Sequence, residues 1–210
     1  MIMRLIALDI MKYSMFRLKN IGFSVVLLFF CVITVAAQNK IEREHRILKS
    51  QFPEISYTKE LLGNDVKKIK YYKEIGAQEV VYRAKFKKVK LQYQMQYSAN
   101  GDLQNIGFRI KQVDFPFEAF TAINNQLVEF FDQFKIRRMY QQYPVKSKEN
   151  EDSVYKSAFM NLMVPNMEYK LLVKGKKDNK KVYKEYWFSA TGKLIKTRNM
   201  LPANFDRVLY

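Results

Sequence analysis

The sequence contains few of the residues from which catalytic and metal sites are usually built. Its 210 residues include one cysteine, Cys31, and one histidine, His45. Zinc sites combine several cysteine and histidine ligands, and no acidic loop has the spacing of a calcium site. A nucleophile needs a neighbouring base, but His45 lies in the charged run 42–46 with no nucleophile motif beside it. We therefore predict a protein that is not an enzyme and holds no metal or cofactor.

Glycine and proline are also scarce, with 7 and 5 residues. A loop that cradles phosphate needs several glycines directly before a helix. The glycines here lie in predicted strands or turns instead, which argues against nucleotide binding. A carboxylate pair for glycoside cleavage stays open, because any two acidic residues can meet in space, but nothing in the sequence selects a pair.

Residues 1–37 have the order of a secretory signal peptide. Two basic residues precede an apolar run at 21–35, and the small residues Ala36 and Ala37 follow. We expect cleavage after Ala37 and export to the periplasm or beyond the cell, with no stable membrane span afterwards. The alternative is an uncleaved anchor helix, although the run is near the lower length limit for spanning a bilayer. Cleavage would remove Cys31, so the mature fold could contain no disulfide.

Acidic residues are outnumbered, because the chain has 37 lysines and arginines against 20 aspartates and glutamates, a net charge of +17. In an exported protein such charge favours anionic partners such as lipopolysaccharide, acidic glycans or anionic lipid surfaces. Nucleic acid is not an expected partner in that compartment. The aromatic content of 15% indicates a packed, strand-rich domain rather than a disordered basic tail.

One turn motif occurs twice, 91 residues apart. Residues 97–103 read YSANGDL and residues 188–194 read FSATGKL. The Asn-Gly and Thr-Gly pairs in these segments predict tight turns that need a positive φ. Before each turn, apolar and polar residues alternate at 91–97 and 182–188, which is typical of strands with one buried face.

Helices are predicted before each group of strands. From Pro116 onward, apolar residues recur at steps of three and four as far as Phe134, giving a stripe that could cover one face of a sheet. A thinner stripe at 40–51 predicts a shorter first helix, and the polar stretch 146–152 predicts an exposed loop. The expected fold class is α+β, with two tandem repeats at 38–115 and 116–210, each a helix packed on an antiparallel β-meander.

This pattern resembles the PepSY-like periplasmic proteins of Bacteroidetes, which have a β-lactamase-inhibitor-like fold. The resemblance rests on the two Ser-Ala-x-Gly-x-Leu turns, the strands at 80–86 and 167–173, and Phe52-Pro53 at the end of the first predicted helix. It implies the tandem architecture and a periplasmic location. It supplies no catalytic or inhibitory residue. The chain departs from the family in being basic and in carrying Ala99 and Ala190 where an aspartate is usual.

Two surfaces are predicted as binding sites. The first is one face of a late strand, which either packs between repeats or binds a partner through Tyr183, Glu185 and Trp187. The second is a set of lysines at two equivalent hairpins, which either bind a polyanion or simply prevent strand edges from associating: Lys85, Lys87, Lys88, Lys90, Lys174, Lys176, Lys177, Lys180 and Lys181. We predict a non-enzymatic module that binds or regulates an envelope protein or peptide, or alternatively an envelope polyanion.

Overall fold

The computed structural model describes most of the chain downstream of the predicted signal peptide. The predicted signal peptide and the first residues of the first predicted repeat lie outside the described part. No helix within that part is long and apolar enough to cross a membrane. The described residues are 43–55, 62–63, 66, 68–76 and 79–200, apart from the side chains of Arg43 and Glu149.

In the described residues, nine strands form one antiparallel sheet in which spatial order follows sequence order. Each strand therefore pairs with its neighbours in the sequence, as in an extended meander. This confirms the α+β class and the antiparallel pairing that the alternating sequence pattern predicted. The strands are β1 (Arg43–Ile47), β2 (Lys70–Ile75), β3 (Val80–Lys88), β4 (Leu91–Tyr97), β5 (Leu103–Ile110), β6 (Gln133–Pro144), β7 (Glu168–Lys177), β8 (Lys180–Ser189) and β9 (Leu194–Asn199).

Two α-helices that lie wholly in the described part of the chain interrupt the series of strands. Helix α1 (Phe117–Phe130) follows β5, and helix α2 (Glu151–Phe159) follows β6. The apolar stripe after Pro116 correctly predicted α1, whose Ile123 and Leu127 are fully buried. Phe134 does not extend that helix, because the chain turns after Phe130 and Phe134 lies in β6.

Both helices pack on the same face of the sheet, which contains the apolar core. Helix α1 covers the later strands, where the ring of Phe130 stacks on Tyr186 at 5.7 Å. Helix α2 covers the earlier strands, where Phe159 meets Tyr93 edge-on at 5.4 Å. The alternation predicted for β4 and β8 is observed, because Tyr93 and Tyr186 point into this core.

The helix predicted at 40–51 is wrong for its described part. Residues Arg43–Ile47 form β1, followed by a short 3₁₀ turn at Lys49–Gln51. The segment pairs with β2, and the carboxylate of Glu44 is neutralised by cations of β3 rather than by solvent. Tertiary pairing has therefore overridden a weak helical pattern.

The loop predicted at 146–152 is also wrong at its end, because α2 begins at Glu151. Its first turn contains two acidic residues, which favour a helix N-terminus, and Tyr155 and Ala158 are buried against the sheet. Within the described residues, helix α2 packs on the earlier strands but follows them in the sequence, and the tandem repeat stays a prediction. The boundary between repeats at 115 and 116 stays a prediction.

The two predicted turns are confirmed and share their hydrogen bonds. Ser98 N donates to the Asp102 carbonyl at 2.9 Å, and Ser189 N donates to the Lys193 carbonyl at 2.8 Å. The glycine of each turn has a positive φ, +86° at 101 and +84° at 192. A Cβ atom at either glycine would also collide with a backbone carbonyl of a neighbouring segment.

The sheet curls strongly about the face that the helices leave uncovered. Glu74 in β2 and Arg198 in β9 form an ion pair with an N–O distance of 2.9 Å. These strands are seven steps apart in the sheet. In a flat sheet, steps of about 4.8 Å would separate them by more than ~30 Å. The first and last strands therefore approach each other across the uncovered face.

Candidate binding site on the charged sheet face

The sheet face opposite the helices, called here the charged face, is lined with ionisable side chains yet is buried at its centre. Arg83, Lys170 and Glu185 expose 6%, 5% and 3% of their surface. No helix in the described part of the chain covers them, so the curl of the sheet excludes the solvent. The side chains at its centre, called here the central network, belong to Glu44, Glu74, Arg83, Lys85, Lys170, Glu185 and Arg198.

One half of the central network joins the first three strands. The Arg83 guanidinium donates to the carboxylate of Glu74 and, at 3.3 Å, to that of Glu44. The Lys85 ammonium lies 2.7 Å from the other oxygen of Glu44. Each of the two carboxylates therefore has at least one cation within ion-pair distance.

The other half joins the last three strands and is linked to the first through Arg198. The Arg198 Nε donates to Glu185 at 2.8 Å, while its Nη1 pairs with Glu74. Glu185 also pairs with the Lys170 ammonium at 2.7 Å. The central network thus contains four cations and three carboxylates, and it retains one excess positive charge.

Burial and neighbouring charges act in opposite directions on the pKa values of these groups. Burial alone would raise the pKa of Glu74, but Arg83 and Arg198 outweigh it and lower that pKa to about 2. Burial is likewise outweighed at Glu185, whose pKa is lowered by Lys170 and Arg198. The carboxylates are therefore ionised at neutral pH and hold the curled sheet together.

The predicted aromatic binding surface lies on the charged face. Trp187 is half-buried, its indole N–H donates to Gln142 Oε1 at 3.1 Å, and Lys170 and Lys196 lie 4.7 and 4.8 Å from its ring centre. Because Glu185 is already paired within the central network, Glu185 and the Trp187 indole N–H both bond to residues of the same chain. Its role as a partner site stays a prediction. The residues concerned are Tyr183, Glu185 and Trp187.

One end of the sheet is rich in cations and is called here the basic end. It comprises the tips of the β3–β4 and β7–β8 hairpins and the adjoining parts of β2, β5 and β6, which the register places at the same end of the sheet. Its cations are Lys70, Lys87, Lys90, Arg109, Lys111, Lys135, Arg137, Arg138, Lys174, Lys176, Lys177, Lys180 and Lys181.

The nine lysines predicted as polyanion contacts divide into three groups. Lys85 belongs to the central network, and burial lowers its pKa despite the partner Glu44. Lys88 points away from the charged face, because its ammonium donates to the Leu62 carbonyl and lies 5.4 Å from the ring centre of Phe159. The remaining seven lie together at the basic end.

Cations at the basic end are placed directly opposite one another on neighbouring strands. Like charges in such cross-strand positions destabilise a sheet. Within the described part of the chain, no carboxylate forms an ion pair with any of these lysines except Lys85. The opposed pairs are Lys135 with Lys174, Lys176 with Lys181, and Lys177 with Lys180, and Lys70 faces Lys85 of the central network.

Sequence reasoning missed the contribution of β6 to the basic end. The register of β6 shifts between Ile136 and Arg138, so Arg137 is an extra residue in a β-bulge. A bulge redirects side chains, and here the consecutive Arg137 and Arg138 line the same cavity. The adjacent arginines in the sequence were a signal, but only the bulge explains how both reach one surface.

Three cavities form a continuous groove along the charged face. The first, of about 270 Å³, lies between β2, β3, β4 and β6. The second, of about 440 Å³, is bordered by Arg109, Lys111 and the two arginines of the bulge, and it shares Lys87 with the first. The third, of about 60 Å³, lies over the central network and shares Tyr140 with the first.

Within the described residues, no group of three or more histidine, cysteine, aspartate or glutamate side chains is arranged to hold a metal ion. His45 is exposed on β1.

No family model and no curated protein matches the chain. Three solved structures show partial similarity: a candidate periplasmic protein from Bacteroides eggerthii (11% identity, TM-score 0.43, 66% of this chain and 81% of that one), and DUF2874 family proteins from Bacteroides uniformis (10%, 0.41, 66% and 81%) and Bacteroides ovatus (12%, 0.41, 68% and 87%). At this level of similarity they give no information on function, and the PepSY-like resemblance stays a prediction.

Proposed function

We propose that the chain is an exported, non-enzymatic module that binds a polyanion through the basic end of its sheet. The observation that carries this proposal is the set of opposed lysine pairs, above all Lys176 with Lys181 on the charged face, beside Lys177 with Lys180 at the hairpin tip. An anionic partner bound between these lysines would reduce their repulsion. The centre of the charged face offers no equivalent site, because its cations are already paired with carboxylates.

Protection of strand edges accounts for only some of these cations. Lys180 and Lys181 lie beyond the residues of β8 that pair with β9 in the described part of the chain, so they flank an open edge. Lys174 and Lys176 of β7 pair with both β6 and β8, so they have no edge to protect. Binding of an anionic partner uses the cations of both groups.

The predicted signal peptide favours a partner outside the cytoplasm. The polyanions accessible there are lipopolysaccharide, acidic glycans and anionic lipid surfaces. Lysine acts as a compact point charge without the bidentate geometry of arginine. We therefore expect recognition of charge density rather than of one particular sequence of groups.

The test compares two variants with the same change in charge. In the first, Lys176, Lys177, Lys180 and Lys181 are replaced by glutamate. In the control, four exposed lysines away from the basic end are replaced in the same way: Lys146, Lys148, Lys156 and Lys193. Binding to lipopolysaccharide micelles and to polygalacturonate is measured at low and high salt.

We expect the first variant to lose at least tenfold in affinity for one of these polyanions, and the control to lose less than threefold. Binding by the unmodified protein should weaken steeply with salt, because exposed charges are screened. Equal losses in both variants, or salt-resistant binding to an envelope protein through Tyr183 and Trp187, would contradict the proposal and favour the protein-binding alternative.

A further inference from the structure

The first cavity of the groove is lined by two kinds of groups. Aromatic rings line it, including Tyr72 of β2 and Tyr140 of β6. These strands are four steps apart, so the curl of the sheet brings the rings to one cavity. Ammonium groups line it as well, and the described lining contains no carboxylate. The lysines that line it are Lys68, Lys70, Lys85 and Lys87.

Within the first cavity, one ammonium group is held in place by the fold. Lys85 is anchored by Glu44 at 2.7 Å and lies 4.3 Å from the ring centre of Tyr72. Lys70 lies directly opposite it on the neighbouring strand, and no ion pair neutralises Lys70 within the described residues. An anion between these two lysines would separate like charges that otherwise face each other.

The amide of Gln94 is a second, independent indication of a ligand. This residue is 8% exposed, and it lines both the first cavity and the smaller cavity over the central network. Its side-chain amide makes no hydrogen bond within the described part of the chain, and the residue is not among those with further partners. Its donors and its acceptor are therefore available to a bound molecule in the cavity.

The size of the first cavity limits its occupant. Its volume of about 270 Å³ is larger than that of an apolar cavity of ~150 Å³ that holds benzene, and it is near the lower end of typical ligand pockets. A single ring, or an aliphatic group of that size, fits together with one charged group. A longer chain would extend toward the second cavity, which borders the first at Lys87.

We infer that the first cavity binds a small carboxylate or phosphate carried on a ring-sized apolar body. The anionic group lies between Lys70 and Lys85 and accepts a hydrogen bond from the Gln94 amide, while the apolar body packs between Tyr72 and Tyr140. This inference shares with the proposed function only the view that the groove is an anion site. It assigns the groove a discrete small-molecule pocket in addition to a basic surface.

Four probes measure separately what the apolar ring and the anionic group contribute to binding. Phenylacetate and phenyl phosphate carry both features, benzyl alcohol carries only the ring, and acetate carries only the charge. Their dissociation constants for the purified protein are measured by NMR titration or calorimetry. At least one of the first two should bind ten times more tightly than both benzyl alcohol and acetate, and the better of them identifies the anionic group. Equal affinity for all four probes would overturn the inference.

Variants locate the pocket. Lys70→Glu should weaken binding of the better probe at least tenfold, whereas Lys111→Glu, the same charge change in the second cavity, should alter it less than twofold. Gln94→Leu should weaken binding several-fold, and if that variant does not fold, Gln94→Glu places a carboxylate in the cavity and should abolish binding. Unchanged affinity in Lys70→Glu, or equal losses in Lys70→Glu and Lys111→Glu, would refute the site.

The outcome is independent of the test of polyanion binding. The fourfold variant at Lys176, Lys177, Lys180 and Lys181 leaves the first cavity intact, so it should bind the better probe as the unmodified protein does. If neither the unmodified protein nor the variants bind the polyanions but the better probe still binds, only the proposed function is refuted. Retention of polyanion binding without probe binding would refute only the pocket.

Discussion

The centre and the basic end of the charged face contain similar residues but differ in how their charges are arranged. At the centre, Glu74 and Glu185 alternate with arginine and lysine, so each buried charge has an opposite partner. At the basic end, lysines such as Lys176 and Lys181 face one another. The centre therefore closes the curled sheet, whereas the lysines of the basic end repel one another. Charge content alone does not distinguish these two arrangements.

The largest expected effect comes from breaking the centre. Glu185→Ala leaves Lys170 buried without its carboxylate, and such a loss typically destabilises a protein by about 3–5 kcal/mol. Urea unfolding should show this decrease in the free energy of unfolding, while Lys177→Ala at the basic end should change it by less than about 0.5 kcal/mol. Similar effects of the two substitutions would remove the distinction between centre and end.

Acid should weaken the centre through Glu74. Its pKa is lowered to about 2 from an ordinary value of 4.5, so its contribution is present above about pH 4.5 and is lost as the pH falls toward 2. The size of that contribution is about 3 kcal/mol. Glu74→Gln should therefore make the free energy of unfolding less dependent on pH between pH 5 and pH 3. An unchanged pH profile would show that Glu74 does not link β2 to β9.

The two hairpin tips at the basic end differ in strain. In the β7–β8 tip, Asp178 and Asn179 adopt positive φ values that such residues tolerate, whereas in the β3–β4 tip Val89 and Lys90 have φ of 44° and 69°. A β-branched residue is strained there. Replacing Val89 and Lys90 with Asn-Gly should raise the free energy of unfolding by about 1 kcal/mol. No gain in urea unfolding would mean that the tip relaxes without cost.

The smallest expected effect on stability distinguishes the basic end from an ordinary surface. Replacing Lys176 and Lys181 with glutamine removes one opposed pair and should raise the free energy of unfolding by about 0.2–1 kcal/mol. The same variant should bind polyanions more weakly. A decrease in stability would show that these lysines make favourable contacts, and the argument from repulsion would then fail.

The sequence predicted the local features well. Helix α1 and the strands β4 and β8 have strong periodicity, and the turns at Gly101 and Gly192 require positive φ, so short segments were sufficient. Strand β1 and helix α2 were missed, because both are short and charged and owe their conformation to packing.

The candidate site was only partly predictable. The lysine hairpins were visible as clusters in the sequence, but the ion pair of Glu74 with Arg198 joins residues 124 positions apart and depends on the curl of the whole sheet. The bulge that brings Arg137 to the groove likewise has no clear local signature. The separation of two residues in the sequence does not show whether their charges form an ion pair.

The most direct test of the central claim is an NMR titration of the protein with polygalacturonate, followed through backbone amide shifts. If the basic end binds the polyanion, the largest shifts occur at Lys87, Arg109 and Lys176, and the turns of Asn100 and Thr191 at the opposite end of the sheet change little. Shifts concentrated at those turns, or around Trp187 alone, would contradict binding at the basic end.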